Sequence, residues 1–493
     1  MQTRREFLRT AALIAIAPRL LAETENEIWL NDVHSQLNRT RVCALLKPRT
    51  HDELMDAVRS GSRKDLPISI AGCRHSMGGQ QFVSDGICID MRGLVHVLNF
   101  DRERGLIEAE AGIQWPELIR AYLDLQRDSA QQWGIAQKQT GADTFTLGGS
   151  LSSNVHGRGL AMKPLISNIE AFTLIDADGK TVRCSRTDNY ELFRLAIGGY
   201  GLFGLISAVT LRLVPRRKLR RVVTLVEARD LARDFEQRIA QNFLYGDFQF
   251  SVDEKSPGFL QHGVFSCYQP IDDGEPVVAE KKFRDDDWLD LLRLAYTDRA
   301  KAFKRYSDYY LSTNGQTYWS DTNQLSAYLP NYAQKLREEI GGDESSLIIT
   351  EIYVPRASLI DFLAQAAELL RSNRTIVIYG TVRLIEKDDE SFLAWAKESY
   401  ACVIFNLLTP HTSVGIEASA RSFRSLIDLA VARRGSYYLT YHKFAKPEQV
   451  TACYPQFQEF LDLKKKFDPS QRFQSDWYRH YRRVFGSGQA WQP

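Results

Sequence analysis

The chain of 493 residues contains no CxxC pair, no HExxH helix signature and no GK[ST] phosphate loop. Its seven cysteines (43, 73, 88, 184, 267, 402 and 453) are an odd number, and no two are close in sequence. Zinc ribbons, dithiol redox centres, metalloproteases of that type and P-loop hydrolysis are not indicated. No metal site is expected, and most of the cysteines read as small buried apolar residues. A surplus of one charge is missing too: 63 Lys+Arg against 61 Asp+Glu leave +2. Nothing global therefore attracts nucleic acid. No apolar run approaches the roughly 18–20 residues that span a bilayer, so no stable membrane span is expected. Internal repeats and low-complexity tracts are absent as well. What is present is ordinary: 44% hydrophobic and 25% charged residues. That is the composition of a globular chain of two or three domains with room for large cores.

The N-terminus reads Thr3-Arg4-Arg5-Glu6-Phe7-Leu8-Arg9, followed by a mildly apolar stretch from Ala11 to Ala17. This resembles a twin-arginine export signal over residues 1–22, with cleavage near Ala22. Passengers of that route cross the membrane folded, commonly with a cofactor inserted. The resemblance implies the twin-arginine export machinery as a partner and a periplasmic or extracytoplasmic location.

Residues 40–60 read as a strand at 42–45, a turn at Pro48 and a helix from His51 to Arg59. The strand Ile68-Ser69-Ile70-Ala71 runs into a glycine-bearing loop at 72–79. Strand-like pieces follow at 86–90, 95–98 and 106–111, then a helix from Trp115 to Leu125. Residues 139–160, rich in Gly, Ser, Thr and Asn, are expected to be loop-dominated. Strands return at 171–175 and 205–214, ending at Pro215. The basic run after it (Arg216, Arg217, Lys218, Arg220, Arg221) reads as a solvated linker face. Beyond it, strand-like runs at 347–354 and 375–382 alternate with amphipathic helices, the clearest from Ala357 to Ser372.

Gly199-Tyr200-Gly201-Leu202-Phe203-Gly204 matches GxGxxG, but that fingerprint works only between a strand and a following helix. Here 189–197 reads as helix and 205–214 as strand, so a dinucleotide site is not expected. These glycines read as a tight helix-to-strand turn with close backbone approach to a ligand. The loops at 72–79 and 148–159 can bring backbone N–H groups and neutral side-chain donors together on anionic oxygens. Between them they can grip one long diphosphate ligand.

Three motifs occur in one order over roughly residues 40–215: Gly72-Cys73-Arg74-His75-Ser76; Thr146-Leu147-Gly148-Gly149 with Asn154-Val155-His156-Gly157-Arg158-Gly159; and Asn189-Tyr190-Glu191-Leu192-Phe193 with Gly198 to Ile206. Together they resemble the vanillyl-alcohol-oxidase, or PCMH-type, FAD-linked oxidoreductase family. The resemblance implies an α+β fold: an FAD-binding PCMH-type domain of two α+β subdomains at 23–215, and a substrate domain of antiparallel sheet and helices at 216–445. A C-terminal return at 446–493 would pack on the FAD domain. It also implies FAD attached covalently through His75, because an imidazole nitrogen is a competent nucleophile. A second covalent link in relatives uses a cysteine that the stretch 140–145 lacks, so a single link is implied. The implied FAD contacts are Gly72, Cys73, Arg74, His75, Ser76, Met77 and Gly78 in the first loop. Gly141, Asp143, Gly148, Gly149, Ser152, Asn154, His156 and Gly157 are implied in the second, and Ile206 at the end.

Further along, the resemblance is closest to the alditol oxidase and aldonolactone (arabinono-, gulonolactone) oxidase branch. Glu351-Ile352-Tyr353-Val354-Pro355 resembles its E-x-E-Y-x-V-P strand. Thr381-Val382-Arg383 resembles its E-I-R strand, with Thr381 standing where the branch places an acid. Tyr441-His442-Lys443 resembles its H-W-G-K strand. The likeness to this branch implies oxidation of a CH–OH group of a sugar, polyol or lactone-like substrate by hydride transfer to flavin N5. Arg383 and Lys443 would stabilise the developing alkoxide. His442 is expected as the base, and Glu351 lies on the same substrate side. O₂ or another acceptor would reoxidise the flavin. Two alternatives stay open: a dehydrogenase or epimerase half-enzyme of cell-envelope sugar metabolism passing electrons to quinone or cytochrome, and a non-catalytic flavin-binding envelope protein.

Overall fold

A computed structural model describes residues 27–272, 274–277, 281–325 and 332–486; the expected export signal at 1–22 lies outside them. Strands β1 (Ala44–Leu46), β2 (Ile68–Ala71) and β3 (Ile87–Asp90) form a parallel sheet in the order β1-β3-β2. The central strand β3 is buried at every residue, as its Ile87-Cys88-Ile89 run between two neighbours requires. Parallel neighbours need a crossover, and the helix His51–Lys64 supplies it between β1 and β2, burying Leu54, Ala57 and Val58.

Strands β4 (Val97–Asp101), β5 (Leu106–Glu110), β6 (Ile169–Ile175), β7 (Thr181–Ser185) and β8 (Leu205–Arg212) form an antiparallel sheet in the order β7-β6-β8-β5-β4. A larger antiparallel sheet comes next in the chain. It is built from β9 (Lys218–Glu227), β10 (Tyr245–Phe250), β11 (His262–Pro270), β12 (Thr317–Trp319), β13 (Ser345–Pro355), β14 (Val377–Ile385), β15 (Tyr400–Pro410) and β16 (Ser436–Tyr437), ordered β12-β9-β11-β10-β14-β15-β13-β16. The whole is α+β, as expected.

The two faces of the large sheet differ in chemistry. Helices Leu359–Ser372 and Ser413–Val431 bury apolar stripes (Phe362, Leu363, Ala366; Phe423, Leu426, Ile427) against one face. Alternation along β10, β13 and β14 puts Asp247, Glu351 and Arg383 on the other. That second face is turned toward residues 139–157: Arg383 bonds to Gln139 and Thr140, and Glu351 to His156. The end of the chain returns to the first sheet. There Ile68 N–H donates to the Arg472 carbonyl at 2.7 Å, and Asp476 accepts from Ser84 N–H at 3.0 Å.

Three local expectations are corrected. The basic run 216–221 is not a solvated linker face, because Lys218 opens strand β9, Arg221 is buried against Tyr268 and Arg216 pairs with the buried Asp321. The stretch 139–160 is not only loop, because a helix, Leu147–Ser153, forms inside it. Thr146 Oγ1 caps it by accepting from Gly149 N–H at 3.2 Å, and Asn154 ends it with a φ of +48°. The strand expected at 42–45 is divided at Cys43. Thr40–Val42 pairs with Ile28–Leu30, while Ala44–Leu46 enters the parallel sheet beside β3.

Candidate active site

A cavity of about 1190 Å³, its open mouth included, lies among the three sheets. Its first wall is the loop that leaves β2: Gly72, Cys73, Arg74, His75, Ser76 and Met77 all line it. Arg74 has a φ of +62°. The backbone N–H groups of Cys73, Arg74 and Ser76 meet no acceptor among the described residues, and Arg74 Nε is buried without a partner. Free amides around a left-handed residue make a concavity for anionic oxygens.

The second wall comes from Gln139, Gly141, Phe145, Thr146, Gly148, Gly149 and Ser152. A Cβ at Gly148 would lie 2.8 Å from the Cβ of Ala111, and one at Gly72 would lie 2.2 Å from Thr146 Oγ1. Glycine at 72 lets the first loop pack against Thr146, and glycine at 148 lets the helix Leu147–Ser153 start against the end of β5. A Cβ at Gly141 would meet only Gln139 Oε1, at 3.9 Å, so the space beside that residue is open. The third wall is Tyr200, Gly201, Gly204 and Ile206. The GxGxxG run sits after the helix Tyr190–Ala196 and before β8, the reverse of the dinucleotide order. From the large-sheet side, Ile349, Tyr438, Thr440 and Tyr441 close the cavity.

His75 stands at the junction of these walls. One ring nitrogen, Nδ1, is 2.7 Å from His34 Nε2, the other is 3.0 Å from Thr144 Oγ1, and the Phe145 ring centre is 4.2 Å away. Burial, aided by His34, pushes the His75 imidazole well below its usual range. At neutral pH it is uncharged, the form in which an imidazole nitrogen is nucleophilic.

The remaining expected contacts lie behind the walls. Gly78 packs under the Tyr441 carbonyl, where a Cβ would sit 2.5 Å from the oxygen. Asp143 pairs with the buried Lys138 Nζ at 2.9 Å. Burial pulls Lys138 down to about 8, with Asp143 opposing the shift. Asn154 donates to Asp388 Oδ2 at 2.9 Å and accepts from Ile166 N–H at 3.0 Å, so it ties the segment at 388 to the one at 166. Gly157 donates to Gln137 Oε1 at 3.1 Å.

His156 belongs to a fully buried cluster. It is hydrogen-bonded through Nε2 to Glu351, with Nδ1 2.9 Å from the Gly157 carbonyl. Cys402 Sγ donates to Glu351 Oε1 at 2.9 Å, and the Tyr441 hydroxyl donates to Oε2 at 2.9 Å. The His156, Glu351 and Cys402 ligand atoms lie within 4.8 Å of one another, and these hydrogen bonds already join them. Burial alone would raise the Glu351 carboxyl, but His156, Cys402 and Arg383 outweigh it and hold it near 2. Glu351 thus sits behind the cavity wall with both oxygens engaged.

The other substrate-side residues divide. Arg383 is buried and reaches the cavity wall: it donates to Gln139 Oε1 at 3.1 Å and to Thr140 Oγ1 at 2.9 Å. His442, expected as the base, and Lys443, expected beside Arg383 at the alkoxide, do not line the cavity. The chain leaves β16 at Tyr437 and turns, so Tyr438, Thr440 and Tyr441 point inward instead. His442 stacks on Phe444 (ring centres 4.7 Å apart), and burial pushes it down to about 4. Lys443 is lowered by burial, with the Asp476 charge opposing and Arg483 adding to the shift. The residues missed from sequence were His34, Gln139, Phe145, Tyr438 and Tyr441. Of these only the tyrosines carried a signal, as the dense aromatic run Tyr437-Tyr438-Leu439-Thr440-Tyr441.

These walls fit an elongated diphosphate cofactor: free amides and a guanidinium at the first loop, glycine-opened space at the second, aromatic and apolar closure elsewhere. The FAD binding domain family matches residues 43–185. The chain is a flavoprotein oxidoreductase with a PCMH-type FAD-binding domain. It is similar over nearly its whole length to "L-gulono-1,4-lactone dehydrogenase" of Mycobacterium tuberculosis, 23% identical over 474 residues, 93% of this chain and 99% of that one. "L-gulonolactone oxidase" of Mus musculus is 20% identical over 438 residues, 87% of this chain and 92% of that one. "Cytokinin dehydrogenase 7" of Oryza sativa is 30% identical over 196 residues, 37% of this chain and 35% of that one. The particular relationship rests on the first two: this is an FAD-dependent oxidoreductase related to the gulonolactone oxidases and dehydrogenases, as the resemblance to the aldonolactone oxidase branch implied. No helix among the described residues is long and apolar enough to cross a membrane.

Proposed function

We propose that this protein oxidises a CH–OH group of a sugar, polyol or lactone-like substrate held between the large sheet and the FAD cavity. The observation that carries this reading is Arg383, a buried guanidinium that leaves the large sheet to touch Gln139 in the cavity wall. Two relatives named for gulonolactones, matched along nearly their whole length, support the same substrate class. FAD, when bound, supplies the hydride acceptor. Arg383 places positive charge where the reacting oxygen becomes negative. Gln139 Oε1 and Thr140 Oγ1 fix its orientation, and Tyr438 and Tyr441 exclude water from that side of the cavity.

His75 takes the covalent link to the cofactor in this reading, supported by its neutral imidazole in the cavity wall. Arg4 and Arg5 support export by the twin-arginine route and a periplasmic site of action. Anaerobic flavin reduction with a panel of polyols, aldonolactones, sugars and 2-hydroxy acids tests the substrate class; reoxidation with O₂ against a dye tests the acceptor. Reduction by 2-hydroxy acids alone, or by nothing in the panel, would refute the proposal.

A further inference from the structure

On the face of the large sheet turned toward residues 139–157, Asp247 is 2% exposed, yet one of its carboxylate oxygens, Oδ1, has no hydrogen-bond partner. Its Oδ2 accepts from Gln249 Nε2 at 2.9 Å, and the Thr381 hydroxyl, 3.5 Å away, donates to the Phe248 carbonyl at 3.1 Å. No Lys, Arg or His lies within ion-pair distance of it among the described residues. A buried carboxylate left in this state costs stability.

The register shows what surrounds it. Ser266 on β11 is directly opposite Asp247. On the other side Phe248 is opposite Val382, which brings Asp247 alongside Arg383. Same-face neighbours on adjacent antiparallel strands have Cβ atoms about 4.5–5.5 Å apart. A salt bridge is the expected outcome, and it does not form, because the guanidinium turns away to Gln139, Thr140 and the Gly157 carbonyl. Arg383 Nε, Ser266 Oγ and Gln249 Oε1 are likewise buried without partners. Four orphan polar atoms from three adjacent strands therefore share one patch next to the residue that reaches the cavity wall. Tyr306 and Tyr310 of the helix Arg299–Ser312, with Tyr379 and Arg158, all feel the Asp247 charge and bound the patch.

We infer that Asp247, with Gln249, Ser266 and Arg383 Nε, forms a subsite that binds adjacent hydroxyl groups of an electrically neutral, polyhydroxylated substrate. The acceptors, Asp247 Oδ1 and Gln249 Oε1, take hydroxyl hydrogens, Arg383 Nε donates to a hydroxyl oxygen, and Ser266 can do either. This alternation matches a vicinal diol. A carboxylate-bearing substrate is disfavoured, because it would face the Asp247 charge in a buried setting. The inference rests on the proposed function and names its substrate class more narrowly.

Flavin reduction is measured anaerobically with L-gulono-1,4-lactone, sorbitol and D-lactate, in the flavin-loaded wild type, Asp247→Asn and Ser266→Ala. Flavin content and melting temperature are recorded for each. Asp247→Asn should raise KM for the polyhydroxylated compounds about 10- to 100-fold, the range for one hydrogen bond to a charged group. Most of the loss should appear in KM rather than in the limiting rate. Ser266→Ala, which deletes a hydroxyl that holds nothing else, should raise KM by a smaller factor and keeps the test open if Asp247→Asn loads poorly. Single-hydroxyl deoxy analogues should lose affinity for the wild type and lose little more for Asp247→Asn. Unchanged KM in both variants, with the wild type active on lactone or polyol, overturns the subsite and leaves the proposed function standing. A wild type that reacts only with D-lactate, or with none of the three, overturns the proposed function itself.

Discussion

Replacing Glu351 by Gln separates a structural role from a chemical one. The carboxylate is fully buried, and its two oxygens accept from Cys402 and Tyr441 and bond to His156. Its carboxyl is held near 2, against an ordinary value of 4.5. At about 1.36 kcal/mol per pKa unit, that depression corresponds to about 3 kcal/mol of folding free energy at neutral pH. Breaking a buried charged pair costs about 3–5 kcal/mol by mutagenesis, a similar size. With about 2.1 cal/mol/K of unfolding entropy per residue, 493 residues unfolding as one unit make this a fall of about 3–5 °C in melting temperature. The pH dependence has a definite sign. Because the folded carboxyl is depressed, its contribution is complete above about pH 4.5 and is lost as pH falls toward 2. The gap between wild type and Glu351→Gln should therefore be full at pH 7 and shrink steadily below pH 4.5. Thermal unfolding followed across pH 3–8, beside anaerobic flavin reduction at pH 7, makes the measurement. A variant as stable as wild type whose flavin reduction fell more than a hundredfold would refute the placement of Glu351 behind the cavity wall.

Arg383→Met should slow flavin reduction by about 10²–10³, the effect of removing one positioned donor, while flavin content stays intact; a loss below threefold in stopped-flow reduction would contradict its role at the reacting oxygen. Acid precipitation should leave yellow colour in the wild-type pellet and release it to the supernatant for His75→Ala, whereas a colourless wild-type pellet rules out the covalent link. Replacing Arg4 and Arg5 together by Lys keeps the charge and should abolish export, because Arg and Lys are not interchangeable at a recognised pair; cell fractionation that still finds the double variant in the periplasm would count against the twin-arginine reading.

The FAD side of the molecule could be read from the sequence because its information is local. Gly72 to Met77 form a short loop, and Gly148-Gly149 open a short helix; their glycines, Arg74 and His75 act within a few residues of one another in each segment, and all of these residues line the cavity. The GxGxxG run could be set aside for the same reason, since its flanking helix and strand are adjacent in the chain. The helix Leu147–Ser153 was hidden because glycine and serine disfavour a helix interior. One cap, Thr146 Oγ1 on Gly149, and packing of Gly148 against Ala111 override that preference.

The substrate side was harder to read because its chemistry arises from strand register. Arg383 was found through its strand, but its partners Gln139 and Thr140 are more than 200 residues away. Tyr441, not His442, faces inward because the chain turns after Tyr437, and a match to a strand motif carries the wrong side chain inward when the strand has already ended. Asp247 shows the limit most clearly. Nothing around it in sequence distinguishes it from the other acidic residues; only the pairing of β10 with β11 and β14 puts it beside Ser266 and Arg383. That pairing also accounts for Thr381. With Asp247 Oδ2 on the neighbouring strand 3.5 Å from the Thr381 hydroxyl, which donates to the Phe248 carbonyl at 3.1 Å, an acid at position 381 would set two carboxylates against each other in a buried site, and one would have to stay protonated. A threonine there leaves a single negative charge facing the substrate. Thr381→Glu should therefore weaken substrate binding, and combining it with Asp247→Asn should restore part of the loss, a less-than-additive result that a KM comparison of the three variants measures directly.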